Sequence, residues 1–216
     1  MDPFPMVMVP PANESALDPS FSEYYKSVRE KVNRRDTAGL LALLHPDIKN
    51  SFGGDDGIAA FQSLWKLDAD PAASPVWPLL ADMLRLGGTF TRQDRTAFAA
   101  PYVYTRFPET MDAFQHAVVI GSDVNVRATP SLDGEIIGRV SHLVVRYLHA
   151  GEDQAPSMEY TVEIDGRSYP WIRIGLPTGK AGYVAGKYIW TPVGYRAGFE
   201  KLNTGQWKMT FLLAGD

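Results

Sequence analysis

The sequence predicts an α+β protein: a helix-rich N-terminal domain, completed by a C-terminal β-hairpin, with an all-β barrel inserted between the two. Three patterns predict it. Apolar residues recur at helical spacing between about residues 18 and 84, alternate with polar ones in short runs from 117 to 190, and alternate again from 195 to 213.

Residues 1–20 hold Pro3, Pro5, Pro10, Pro11 and Pro19 and no Lys or Arg, so they are expected to form a proline-rich tail. Asp18-Pro19 supplies a cap and a proline at the first helical position, and Phe21, Tyr25, Val28 and Val32 make one apolar face. Asp36 is placed to cap a second helix running through Leu40, Leu41, Leu43 and Leu44 and stopping before Pro46. Ile48 and Phe52 fit a short strand and Gly53-Gly54 a turn. Ile58, Phe61, Leu64 and Trp65 form a third helical face behind Asp55 or Asp56. After an Asp/Ala/Pro linker at 68–75, Val76, Leu79, Leu80, Met83 and Leu84 give a fourth helix ending at Gly87-Gly88. Phe98, Tyr102 and Tyr104 alternate as a half-buried strand.

Beyond about residue 117 the strands are short and punctuated by Gly, Pro and Asp-Gly, the pattern of a small all-β module. The closing segment reads as a hairpin with one greasy face, because Trp207, Met209, Phe211 and Leu213 alternate with polar residues after Asn203-Thr204-Gly205. Such a ribbon is marginal alone. It is expected to return to the N-terminal part and pair with the strand near 98–104 or 48–52. The expected boundaries are 1–20 for the tail, 21–117 with 192–216 for a discontinuous helical domain, and 118–191 for the barrel.

With 216 residues, 45% of them hydrophobic, the chain can bury a sizeable core. The formal net charge of −4 supplies no cation excess for phosphates, which argues against nucleic acid and anionic lipid as partners. Without cysteine there are no disulfides, thiolate metal sites or cysteine nucleophiles. No run of 18 apolar residues occurs, so no membrane span is expected.

The segments VNVRATPSLDGEIIGRV at 124–140, YPWIRI at 169–174 and GKAGYVAGKYI at 179–189 resemble, in order and spacing, the bacterial SH3 (SH3b) domain family over residues 118–190. Val124 and Val126 point inward, and Trp171, Ile172 and Ile174 are expected to supply core mass. The chain departs from the family pattern at Ser141-His142-Leu143, where a Lys-Gly turn is usual, and in its long 149–168 loop, a candidate for added function. YYKSVREKVNRRDTAGLLALLHPDI at 24–48 is similar to the opening of cone-shaped ketosteroid-isomerase-like folds.

No residue set carries a recognisable catalytic chemistry. There is no G-x-S-x-G elbow, and GLPTGKA at 175–181 is a residue too short between glycines for a phosphate loop and ends on Ala181. It reads as a hairpin turn. His45, His116, His142 and His149 lack the spacing that aims two imidazoles at one metal. Asp55 and Asp56 suit a helix start, although an acid/base pair of either with Asp47 facing a cone-shaped cavity is an alternative. No catalytic residues, metal ligands or cofactors are therefore expected.

The SH3b resemblance implies a non-catalytic, exported bacterial protein, periplasmic or secreted, whose signal peptide has been removed. Its module would bind peptidoglycan peptide or a protein partner at the cell envelope. The candidate ligand-binding residues are Asn125, Arg127, Tyr147, Tyr183 and Tyr188, aromatic and polar groups suited to peptides or glycans. The competing expectation is a small-molecule-binding or enzymatic N-terminal domain, with the SH3b part as adaptor or lid.

Overall fold

The computed structural model describes residues 2–148 and 160–215. The fold is mixed, with five α-helices and two main sheets among these residues. The elements in chain order begin with helix α1 (Pro19–Arg34), helix α2 (Thr37–Ala42), strand β1 (Leu44–Lys49), helix α3 (Ile58–Leu64) and helix α4 (Val76–Leu86). Strands β2 (Thr89–Phe90) and β3 (Ala97–Ala100) and helix α5 (Tyr102–Arg106) follow. Then come β4 (His116–Val119), β5 (Val124–Arg127), β6 (Ile136–Val140), β7 (Val144–Tyr147), β8 (Thr161–Ile164), β9 (Arg167–Gly175), β10 (Ala181–Ala185) and β11 (Ile189–Trp190). Strands β12 (Arg196–Lys201) and β13 (Trp207–Leu213) end the chain's regular structure. Two compact units result: Pro11–Arg106 with Val193–Asp216, and Met1–Pro10 with Phe107–Pro192.

The helical unit is built on a sheet of order β1-β13-β12-β3-β2, so the closing hairpin lies in its middle. Strand β12 runs antiparallel to β3, with Phe199 opposite Phe98, and β13 runs parallel to β1. Both partners named for the hairpin from sequence are thus used at once. The reason is the hairpin's two edges: a central ribbon must satisfy N–H and C=O groups on both outer sides. Helix α1 packs its apolar stripe on this sheet, with the Phe21 ring 4.4 Å from Phe98 and 4.6 Å from Trp207. Asp18 caps α1 by accepting the Phe21 amide at 2.8 Å, and Tyr25 ties α1 to α4 by donating to the Leu84 carbonyl at 2.8 Å.

Several local expectations are corrected. Helix α2 ends at Ala42, and Leu44 already belongs to β1, which runs through Pro46 and leaves Phe52 outside. Proline is tolerated there because β1 is an edge strand, bonded only to β13. Helix α3 starts behind Gly57 rather than an aspartate cap, and Leu64 is exposed while Trp65 is buried. The strand expected at 98–104 stops at Ala100; Tyr102 and Tyr104 lie on helix α5, since Pro101 cannot donate to a ladder.

In the all-β unit the main sheet has the order β11-β4-β7-β9-β10-β5-β6, with β8 paired to β9. Its end strands, β11 and β6, are not partners among the described residues, so the sheet is an open path and the expected closed barrel is not what forms. Closure fails at the edges: β11 has two residues, all bonded to β4, and β6 is spent on β5. One face covers a core of Val119, Val124, Val126, Val145, Ile172, Ile174 and Val184. The expected proline-rich tail is also corrected. Val9 is buried and donates to the His142 carbonyl at 2.7 Å, while Val144 donates to Val7 at 2.9 Å, so residues 7–9 extend the backbone pairing of this unit. Pro19 meanwhile opens α1.

The tight connections match their chemistry. Asp165 and Gly166, at φ 52° and 71°, make a two-residue turn between β8 and β9 of the kind that fits strand twist. GLPTGKA forms the turn between β9 and β10, with Leu176 donating to the Lys180 carbonyl at 2.8 Å. Of the loop expected at 149–168, residues 149–159, His149 included, lie outside the described residues.

Candidate functional site

Strand alternation in the all-β unit produces two unequal faces. Gly182 and Val184 turn to the core, whereas Tyr183 and Ala185 turn outward. In β9, Ile172 and Ile174 are core, so Trp171 faces away from them. The sequence expectation that Trp171 fills the same core is therefore corrected. Trp171 anchors a second cluster with Val162 and Ala185, against which Ile164, Tyr169, Tyr183 and Tyr188 pack.

Beside this cluster runs a groove of about 220 Å³. Asn125, Arg127 and Tyr188, three of the five residues singled out from sequence, lie in its wall with Leu132, Ile164 and Trp171. Leu132 is 60% exposed, which gives the rim an apolar edge on an otherwise polar loop. Arg127 donates through Nη1 to the Gly134 carbonyl at 2.7 Å, and Arg139 donates through Nε to Asn125 Oδ1 at 3.1 Å. These bonds hold the loop between β5 and β6 and fix the amide orientation of Asn125.

The groove wall itself carries one cation, Arg127, and one anion, Asp123, and the cross-strand register brings further arginines to the same face. Tyr183 lies opposite both Arg173 and Arg127, and Asn125 lies opposite Arg139. Arg127, Arg139 and Arg173 thereby share the outward face, and none of them is ion-paired among the described residues. Nearby Lys187 is paired with Asp165, which holds the Asp165 carboxyl below its ordinary range and raises the lysine.

Tyr147 and Tyr183 do not line the groove. Tyr147 packs half-buried on the main core, where burial pushes its phenol up from the ordinary value. Tyr183 supports the Trp171 cluster instead. Sequence reasoning passed over Trp171, Leu132 and Ile164. The signal for Trp171 was present, since two adjacent residues of one strand cannot both enter one core.

The acid/base alternative in the helical unit does not assemble. Asp47 is exposed on β1, and Asp56 is held by Lys49 at 2.6 Å, which lowers its carboxyl from the ordinary value. Asp55 alone lines a cleft in this unit, with Asn50, Ser51, Ala60, Ser63, Leu64, Tyr195 and Ala214. No group of three or more His, Cys, Asp or Glu residues able to hold a metal occurs among the described residues, and none of their helices is long and apolar enough to cross a membrane. Compared with known proteins, the chain matches no family model, no curated protein and no solved structure.

Proposed function

We propose that the all-β unit is a non-catalytic, SH3b-like recognition module that binds an extended acidic peptide in the Trp171 groove. The carrying observation is the convergence of Asn125, Arg127 and Tyr188 on one wall with Trp171 and the exposed Leu132. An indole and a phenol offer flat apolar area at small entropic cost, and fixed amides supply orientation. Arg127, Arg139 and Arg173 on the same face favour carboxylates on the ligand, since a guanidinium pairs bidentately with them. The stem peptides of peptidoglycan have this acidic chemistry, and a wall ligand makes the protein periplasmic or secreted. An acidic segment of a protein partner is the other source of the same chemistry.

Co-sedimentation with purified peptidoglycan tests this reading. Retention at low salt, weakened at high salt and by Arg139→Glu or Leu132→Asp, is the expected result. Binding of free acidic peptides without retention on the wall polymer would assign the groove to a protein partner. Failure of both, with the variants indistinguishable from the parent, overturns the reading.

A further inference from the structure

The cleft of the helical unit has a chemistry of its own, independent of the peptide groove. It measures about 520 Å³ and is bounded by the loop that follows β1, the last turns of α3, and the segments flanking the hairpin at Tyr195 and Ala214. A space of this size accommodates a small organic molecule rather than a lone ion. Leu64 and Tyr195, 51% and 37% exposed, provide apolar wall that the fold leaves uncovered.

The polar part of the wall is acceptor-rich. Asn50 is 5% exposed and uses its amide N–H groups on the Asp55 and Gly57 carbonyls, at 2.8 and 3.0 Å. Those bonds clamp the loop between β1 and α3 and leave Asn50 Oδ1 without a partner. The Asp55 carboxylate gives the wall its charge, because Asp55 is the single charged residue in it. Asp56, next to it in sequence, is paired with Lys49. Arg196 follows Tyr195 but stacks its guanidinium on Tyr104 and Phe52, 4.9 and 5.6 Å from the ring centroids, and is not part of the wall. Aromatic rings such as Tyr195 attract cations through their faces.

We infer that this cleft binds a small organic cation with an apolar body, of the arylalkylamine class. The body covers Leu64 and Tyr195, and the ammonium group donates toward Asp55 and the Ser51 and Ser63 hydroxyls. Asn50 is a positioning residue that holds the loop in place.

Tryptamine and indole-3-acetate share a ring and differ in charge, so they separate this proposal from simple apolar adsorption. In an amide-resolved NMR titration of the full chain, tryptamine is expected to shift Asn50, Ser63 and Ala214 with a dissociation constant on the order of 1 mM, typical for a ligand of about twelve heavy atoms. Indole-3-acetate should bind about tenfold more weakly, and Asp55→Asn should weaken tryptamine about fivefold, as loss of a half-screened charge contact does. The Asp55 side chain takes no part in the loop clamp, so this variant keeps the fold, and a second variant, Ser63→Trp, should block the cleft by filling it. Equal binding of the two indoles, insensitivity to Asp55→Asn, or shifts confined to residues outside the cleft overturns the proposal. Because the peptide groove lies in the other unit, loss of peptidoglycan retention by Leu132→Asp leaves this titration unchanged.

Discussion

Arg127 donates to the carbonyl of Gly134 at 2.7 Å, closing the loop that carries Leu132 to the rim of the groove. A residue that reads from sequence as a ligand contact thereby acts first on its own chain. Arg127→Ala is expected to cost about 1 kcal/mol, below the ~1.5–3 kcal/mol of fully buried charged hydrogen bonds because the guanidinium is half-exposed. The loop at 128–135 should exchange its amides faster, and peptide binding should fall with it. Arg127→Lys should not restore the loop, since a single ammonium lacks the planar fork. Hydrogen exchange resolved over residues 128–135 reads both variants.

Trp171 and Ile172 are neighbours with opposite duties. Ile172→Ala removes apolar volume from the main core and is expected to cost about 2–5 kcal/mol. Trp171→Phe keeps an apolar ring on the second cluster, so stability should drop less while peptide binding drops more. Urea midpoints set beside peptide affinity for the two variants give the comparison. Equal effects on both quantities would mean that the two side chains serve one core.

This pair also shows what could be read in the sequence. Period-two alternation located the strands of the all-β unit but misplaced Tyr102 and Tyr104, which lie on α5, and the helical spacing of Phe21, Tyr25, Val28 and Val32 gave α1, whose four residues are buried as that stripe requires. The hairpin's apolar face announced that it needed a covering surface, which α1 supplies over Trp207, but the predicted alternation is corrected beyond Met209: a register shift beside Gly198 leaves Phe211 half-buried and buries Leu212 instead. Alternation says which residues share a face; it does not say how a sheet ends. The open path of the all-β sheet depends on how few residues β11 offers for pairing, a tertiary matter. The run from Leu40 to Leu44 satisfied a helix locally, but pairing of β1 with β13 claimed Leu44 for a strand. The cleft at Asn50 joins segments near residues 50, 60, 195 and 214, and no local pattern in the chain links them. Val7 and Val9 stood among prolines that suggested a tail, and only their backbone pairing with residues 142–144 makes them part of a fold.

The cap of α1 makes a pH prediction. The Asp18 carboxylate accepts from the Ser20 hydroxyl and the Phe21 amide, with Lys201 adding attraction, and its carboxyl is held below the ordinary 3.8. A depressed folded-state value contributes stability that is fully present above the unfolded value and lost as pH falls through the folded one. Asp18→Asn keeps an acceptor for Phe21 but does not titrate. Its unfolding free energy should decline less steeply than the parent's below the ordinary value of 3.8, while Asp18→Ala should cost about 1 kcal/mol at neutral pH. Urea unfolding followed across the acid range compares the slopes. The carboxyls of Asp36, Asp56, Asp94 and Asp165 are lowered as well, so the acid limb of Asp18→Asn should be reduced relative to the parent's rather than abolished.

Two glycines in the helical unit permit close approaches of different kinds. A Cβ on Gly88 would collide with the carbonyl oxygen of Ala99, backbone of the strand that pairs with β2. A Cβ on Gly198 would collide with the ring of Phe211, its cross-strand partner. Both alanine variants should lose stability, by about 1–3 kcal/mol, as overpacked sites do. The obstruction at Gly198 is a half-exposed side chain and can be trimmed, so Gly198→Ala combined with Phe211→Leu should recover most of the loss. No side-chain change can clear a carbonyl, and Gly88→Ala should resist rescue by any substitution at Ala99. Thermal midpoints of the single and double variants decide it: failure of the Phe211→Leu rescue would show that Gly198 is required by the backbone bulge beside it rather than by the ring.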